Sequence, residues 1–357
     1  MPIPDDAASI TAAGVRQLFA RRSLHVPGTR LGSIAFPPPT SARSHWHYWW
    51  QAHFLDCLLD EHLRTSGAGD GSGDGAGDGT GGGAGGGTGA LPEARKLARG
   101  IWLRNGGRWR NSYYDDMAWL ALALQRLDAV EARRRPRRRV RILGAALRSA
   151  HTAELGGGVY WNTTRDYKNT PSTAPAAVFF ARAGETARAQ DLLDWLRDRL
   201  FDEDSGLFLD GVKADGRVDR GLHTYNQGTV LGALVEVGGA DNLSAAADLV
   251  GAIAREVADD GGVLPLAAGG DAGLFTGILA RYLAEAAVAG IGPVASATAR
   301  RLLDATAEHL WDGRLSAGGT LIFPPVQDGP VSLSSQLQAW MVLEARSAAG
   351  STGTARA

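Results

Sequence analysis

Two aspartates stand side by side at Asp115 and Asp116, inside the run Asn111-Ser112-Tyr113-Tyr114-Asp115-Asp116-Met117-Ala118-Trp119. Paired carboxyl groups supply the nucleophile and the proton donor when a glycosidic bond is cut, and aromatic faces hold pyranose rings. The run also has a purely structural reading. Ser112 lies three residues before Asp115, the spacing of a capping box, and acids in a first helical turn complement the helix dipole. Consecutive residues do not face one another on a regular helix, so a working pair has to sit at the helix entrance.

Other polar and aromatic clusters recur along the chain: His47-Tyr48-Trp49-Trp50-Gln51, Lys168-Asn169-Thr170-Pro171-Ser172, His223-Thr224-Tyr225-Asn226-Gln227-Gly228, Leu274-Phe275-Thr276-Gly277 and Ser332 to Gln336. Each precedes or opens a predicted helix. Free N–H groups at helix starts are available to ligand oxygens.

The elements that must position these clusters are read from hydrophobic periodicity. Helices are predicted at about 6–20, 46–64, 91–104, 115–130, 138–154, 172–184, 186–200, 223–238, 242–258, 272–290, 293–311 and 331–348. Short strands are suggested only near Val159-Tyr160-Trp161 and Leu207-Phe208-Leu209. The helices alternate in character. Leu192, Leu193, Leu196 and Leu200 form one apolar side of a helix whose other side carries Arg188, Asp191, Asp198 and Arg199. By contrast, residues 117–124 are apolar all round, as a fully enclosed helix requires. Twelve helices in this alternation predict an all-α fold, an (α/α)6 barrel with an inner ring wrapped by an outer one; two separate helical bundles are the rival. Parallel inner helices would bring the polar clusters together at one end. Residues 66–90 contain only Gly, Ala, Ser, Thr and Asp, and are expected to form a flexible insertion within a single domain spanning 1–357.

Composition narrows the function classes. The net charge is −1 over 357 residues, which calls for neither nucleic acid nor an anionic surface. Cys57 is the sole cysteine, so no intramolecular disulfide forms, and no His or Glu spacing suggests a metal; no cofactor is expected. Met1 to Ala20 lacks the apolar core of a secretory signal and no run is long enough to span a membrane, so a cytoplasmic location is expected. Ten tryptophans against three methionines suggest rings that serve a ligand as well as a core.

Over nearly the whole chain outside the Gly-rich insertion, the sequence resembles glycoside hydrolase family 76, the endo-α-1,6-mannanases. The carriers are Tyr113 to Trp119, Gly157-Gly158-Val159-Tyr160-Trp161-Asn162 with Lys168-Asn169, and Thr224-Tyr225-Asn226-Gln227-Gly228. Weaker carriers are Leu274 to Ile278 with Arg281-Tyr282, and Ser335-Gln336-Leu337. The resemblance implies an (α/α)6 barrel and retaining hydrolysis of α-1,6-linked mannose in an oligo- or polysaccharide, with Asp115 as nucleophile and Asp116 as general acid/base. Trp49, Trp50, Tyr114, Trp161, Tyr225 and Phe275 are candidates to bind sugar faces. Asn162, Asn169, Asn226, Gln227 and Gln336 are candidates for hydroxyls, and Lys168 for hydroxyls or for lowering a carboxyl pKa. Two rivals stand beside this reading. A sugar epimerase of the same barrel class would use His223 with a second histidine from His45, His47 or His53. A non-catalytic glycan-binding barrel would need the aromatic cleft without the acid pair. The basic run Arg133 to Arg139 reads as a solvated turn between helices.

Overall fold

The computed structural model describes residues 2–39, 46–67, 89–317, 319–323 and 329–350. Among them are twelve α-helices: α1 (Ala7–Phe19), α2 (Tyr48–Gly67), α3 (Ala90–Arg104), α4 (Tyr114–Val130), α5 (Arg138–Ala150), α6 (Thr170–Arg182), α7 (Thr186–Leu200), α8 (Thr224–Val237), α9 (Ala240–Glu256), α10 (Phe275–Ala287), α11 (Pro293–Asp312) and α12 (Leu333–Gly350). Every second helix packs on the next but one. The chain of contacts α2–α4–α6–α8–α10–α12 returns to α2 and closes a ring, and the odd-numbered helices lie against its outside. This is the (α/α)6 barrel. Of the predicted insertion 66–90, Ser66 and Gly67 finish α2 and Ala90 opens α3, and residues 68–88 lie outside the described residues.

The alternation has its expected cause. α5 buries Val140, Leu143, Gly144, Ala146, Leu147 and Ala150 along one stripe, whereas α4 buries every residue from Met117 to Leu124. Inner helices approach closely where glycine allows it. A β-carbon at Gly228 of α8 would lie 2.6 Å from the Cα of Leu279 on α10.

The two ends of the inner ring differ. Beyond the N-terminal ends, the connections carry short sheets; one is antiparallel and three-stranded, from Tyr167–Asn169, Gly211–Lys213 and Val218–Asp219. Leu207–Phe208 is a strand, paired with Phe201–Asp202, but residues 159 and 160 make only isolated bridges. Glutamine side chains clamp these connections to the barrel. Gln51, Gln227 and Gln336 each occupy the fourth position of an inner helix. Each receives a backbone N–H and donates to the carbonyl of the same residue: Gly32, Phe208 and Phe323 respectively. Toward the C-terminal ends, Asp56, Asp60 and Arg64 of α2 meet Arg126 of α4, Arg281 of α10 and Glu344 of α12, and Arg182 of α6 meets Glu236 of α8 and Glu285 of α10. The inner helices therefore run parallel.

The basic run is less solvated than its composition suggests. Arg134 and Arg135 are exposed, but Arg137 and Arg139 pair with Asp128, and Arg133 and Arg137 pair with Glu131. No described helix is long and apolar enough to cross a membrane.

Candidate active site

Asp115 and Asp116 occupy the first turn of α4, at the N-terminal end of the inner ring. The capping box does not form: Tyr113 is the N-cap residue and its side chain caps nothing. Instead the Oδ1 of Asp115 accepts the N–H of Asp116 at 2.7 Å, and its Oδ2 accepts the indole N–H of Trp161 at 2.9 Å. Trp161 is delivered by the connection ahead of α6. Its carbonyl accepts the N–H of Tyr114, its own N–H bonds to Tyr167, and Asn162 bridges to Tyr113. Asp116 receives the side-chain amide of Asn111 at 2.5 Å, and Asn111 also accepts the N–H of Tyr113. Both aspartates are half-buried.

Their protonation follows from these surroundings. Withdrawal from water pushes Asp115 up to about 7, against the pull of the hydrogen bonds it accepts, and the charge of Asp271 adds to the rise. Asp116 is held well above the ordinary carboxylate range, first by desolvation and then by the negative charge of Asp115. No arginine or lysine of the described residues is paired with either. Asp115, with the larger set of donors, ionises first, and its charge keeps the proton on Asp116. That division of labour is what an acid and a nucleophile require.

Rings line the surroundings. Tyr113 and Tyr167 pack on Trp161 with centroids 5.3 and 6.2 Å away. Tyr225 stacks on Phe275 at 4.0 Å, and Tyr225 lies close enough to Asp115 for its hydroxyl to feel that charge. On the α2 side, both Trp49 and Trp50 donate their indole N–H groups to Oδ1 of Asp271, at 3.2 and 2.9 Å.

Several of the residues predicted as sugar contacts are buried or held by the protein's own groups. Lys168 is 0 % exposed, and its ammonium is held by the carbonyls of Thr152, Glu154 and Gly157 and by the Thr152 hydroxyl. Four acceptors around three N–H bonds leave nothing for a sugar, and Lys168 is not among the groups that move either aspartate. Asn169 caps α6 through the N–H of Ser172. Gln227 and Gln336 are the buried clamps described above, and Asn162 closes its own turn onto Thr164. Asn226 is buried and donates to Asp210. Tyr114 is turned into the core, and the face of Trp50 is covered by His47, stacked at 4.1 Å. Of the predicted residues, Trp49, Trp161, Asn162, Tyr225 and Phe275 keep part of their surface exposed.

Residues overlooked in the sequence are Asn111, Asp210, Tyr167 and Asp271. Asp210 accepts from Tyr167 at 2.6 Å and Asn226 at 3.1 Å. The available signal was position: Asp271 stands just ahead of Phe275, and Asp210 just after Leu207-Phe208-Leu209. For the histidines, His45 lies outside the described residues. His53 is buried between Trp49 and Trp119 and kept neutral by desolvation and by Arg281, so it cannot meet a substrate. Among the described residues no group of three metal-ligating side chains could hold an ion.

The sequence pattern of glycosyl hydrolase family 76 matches residues 103–356. The chain belongs to this family. No curated protein matches it in sequence. Among solved structures, it is similar to the family 76 α-1,6-mannanase of Salegentibacter sp. HEL1_6, with 26% identity, a TM-score of 0.81 and coverage of 96% of this chain and 98% of that one. An inactive variant of that enzyme, with two consecutive aspartates replaced by asparagine, was solved in complex with α-1,6-mannotriose, and the chain matches it with the same identity, TM-score and coverage. A family 76 mannosidase from Bacteroides thetaiotaomicron shares the fold at 16% identity and a TM-score of 0.72, covering 97% of this chain and 98% of that one.

Proposed function

We propose that this family 76 hydrolase cleaves α-1,6-mannosidic bonds inside mannan chains or mannooligosaccharides, with retention of configuration. The observation that carries the reading is the unpaired carboxyl couple at the mouth of α4, with Asp115 tied to Trp161 and Asp116 to Asn111. The Salegentibacter relative adds support, since replacing two consecutive aspartates there gives an inactive protein that was solved with α-1,6-mannotriose bound.

In this mechanism Asp115 attacks the anomeric carbon while Asp116 gives its proton to the departing glycosidic oxygen. A covalent glycosyl–Asp115 ester results, and the shortened chain leaves with its new hydroxyl. Asp116, now a base, takes a proton from water as that water attacks the anomeric carbon and frees Asp115. Retention requires the two carboxyl groups to stand about 5–5.5 Å apart across the bond, the separation that suits a covalent intermediate over an inverting water. Trp49, Trp161, Tyr225 and Phe275 supply the apolar surface for the rings of the substrate.

The test is digestion of α-1,6-mannotriose to mannohexaose, with α-1,2- and α-1,3-linked mannobioses as controls. Internal cleavage of the longer α-1,6 substrates, with no attack on the controls, is the expected result; sugar binding without cleavage would leave a glycan-binding barrel. The pH profile carries a sign. Asp115 must be ionised and its folded value is raised to about 7, so kcat/KM should fall as pH drops through that region. The alkaline limb reports loss of the Asp116 proton.

A further inference from the structure

Asp271 opens the short turn Asp271–Leu274 that leads into α10, level with the first turns of the other inner helices. Its environment is unlike that of the other acids in the barrel. Two indole N–H groups, from Trp49 and Trp50, converge on Oδ1, and the Nδ1 of His47 stands 3.9 Å from the same atom. Oδ2 meets no donor among the described residues, and 57% of the side chain remains exposed. The other groups around it are known from each neighbouring element. From α4 and α8, the charge of Asp271 is felt by Asp115, Asp116 and Tyr225. From α12, Ser334 and Ser335 lie against Gly273 of the same turn. No lysine or arginine of the described residues neutralises it.

A turn that needed only an anchor would be served by one of these bonds. Fixing one oxygen with two rigid indoles, while the other has no donor on a side chain that stays 57% exposed, is the arrangement of an acceptor held ready for a ligand. Carboxylates take hydroxyl donors strongly, and sugars present several. Trp49 is joined to the same atom and packs 6.4 Å from Phe275, so the acceptor and an apolar wall come as one unit.

We propose that Asp271 is a third working carboxylate of this cleft, an acceptor for hydroxyl groups of the bound mannose chain whose position is set by Trp49 and Trp50. The proposal rests on the reading of the cleft as an α-1,6-mannan site. Because its charge also opposes ionisation of the Asp115–Asp116 pair, removing it should shift the acid limb of kcat/KM to lower pH.

The experiment measures α-1,6-mannotriose binding by calorimetry in D115N and in D115N/D271N, with D115N/D271A as a second arm, and the pH profile of the single variant D271N. The asparagine side chain in D271N keeps a carbonyl for the two indoles but replaces the free acceptor with a donor. Expected are affinity about 10-fold or more weaker in D115N/D271N, an unchanged melting temperature, and an acid limb moved downward. Unchanged affinity and an unmoved limb in the asparagine variants would overturn the proposal, as would D115N/D271A that melts lower but binds as tightly. The two readings fail separately. If D115N itself binds no mannotriose, the mannan reading falls and this proposal with it; if D115N binds and D271N changes nothing, only the role of Asp271 falls.

Discussion

Asp60 and Asp115 belong to neighbouring inner helices, and burial pushes both upward, yet they end in opposite states. Asp60 sits toward the C-terminal end of α2, where Arg126 and Arg281 donate to it at 2.5 and 2.8 Å and hold it down at about 2. Asp115 sits at the N-terminal end of α4, where its partners are an indole and an amide N–H, and it rises to about 7. Burial raises both; the countercharge is what differs. One end of the barrel uses carboxylates to tie six helices together. The other leaves them uncompensated, and therefore able to exchange protons near neutral pH. The difference teaches that the raised pKa of Asp115 comes from the countercharge withheld from it.

If that contrast is right, the two ends break differently. The largest effect belongs to D115N and D116N, each of which should lower kcat on the order of 10^4-fold with α-1,6-mannotetraose while circular dichroism shows an intact barrel. R126M removes one cation from the opposite end and leaves Asp56 and Asp60 with Arg281 alone. It should destabilise the fold by about 3–5 kcal/mol in urea unfolding. Its acid sensitivity should also change. Asp60 is depressed in the folded state, so its stabilising contribution is full above about pH 4 and is lost as pH falls toward 2; R126M should flatten that dependence. Q227L removes a clamp and orphans the N–H and C=O of Phe208, for about 1–3 kcal/mol by the same measurement. The smallest effect has the opposite sign. Asp115 is raised, so the native fold gives up stability as pH climbs through about 7, and D115N should melt a few degrees higher than the native chain at pH 8, about 1 kcal/mol, but not at pH 4.

The barrel was legible because the signal for each helix is local. The periodicity of apolar residues placed all twelve within a few residues, and wholly apolar stretches such as 117–124 marked the inner ring. The place of the acid pair at a helix mouth was legible too, through its motif. The polar shell around it was not. Gln227, Gln336, Asn169 and Lys168 stand in the same helix-start clusters as ring-bearing residues, yet they hold backbone of connections whose paths no periodicity describes. Asp271 was invisible for the converse reason: a lone acid after Gly270 reads as a turn until Trp49 and Trp50, more than two hundred residues away in sequence, are seen to converge on it. Side-chain direction at a helix mouth depends on which loop crosses it, and that is a tertiary fact.

The most direct test follows the first product anomer released from α-1,6-mannotetraose by proton NMR, with D115N and D116N run alongside. Uncompensated carboxylates at the mouth of α4, acting as nucleophile and acid, predict α-configured shorter oligosaccharides from the native chain and none from either variant. A β-configured first product, or turnover that survives both substitutions, would contradict the account.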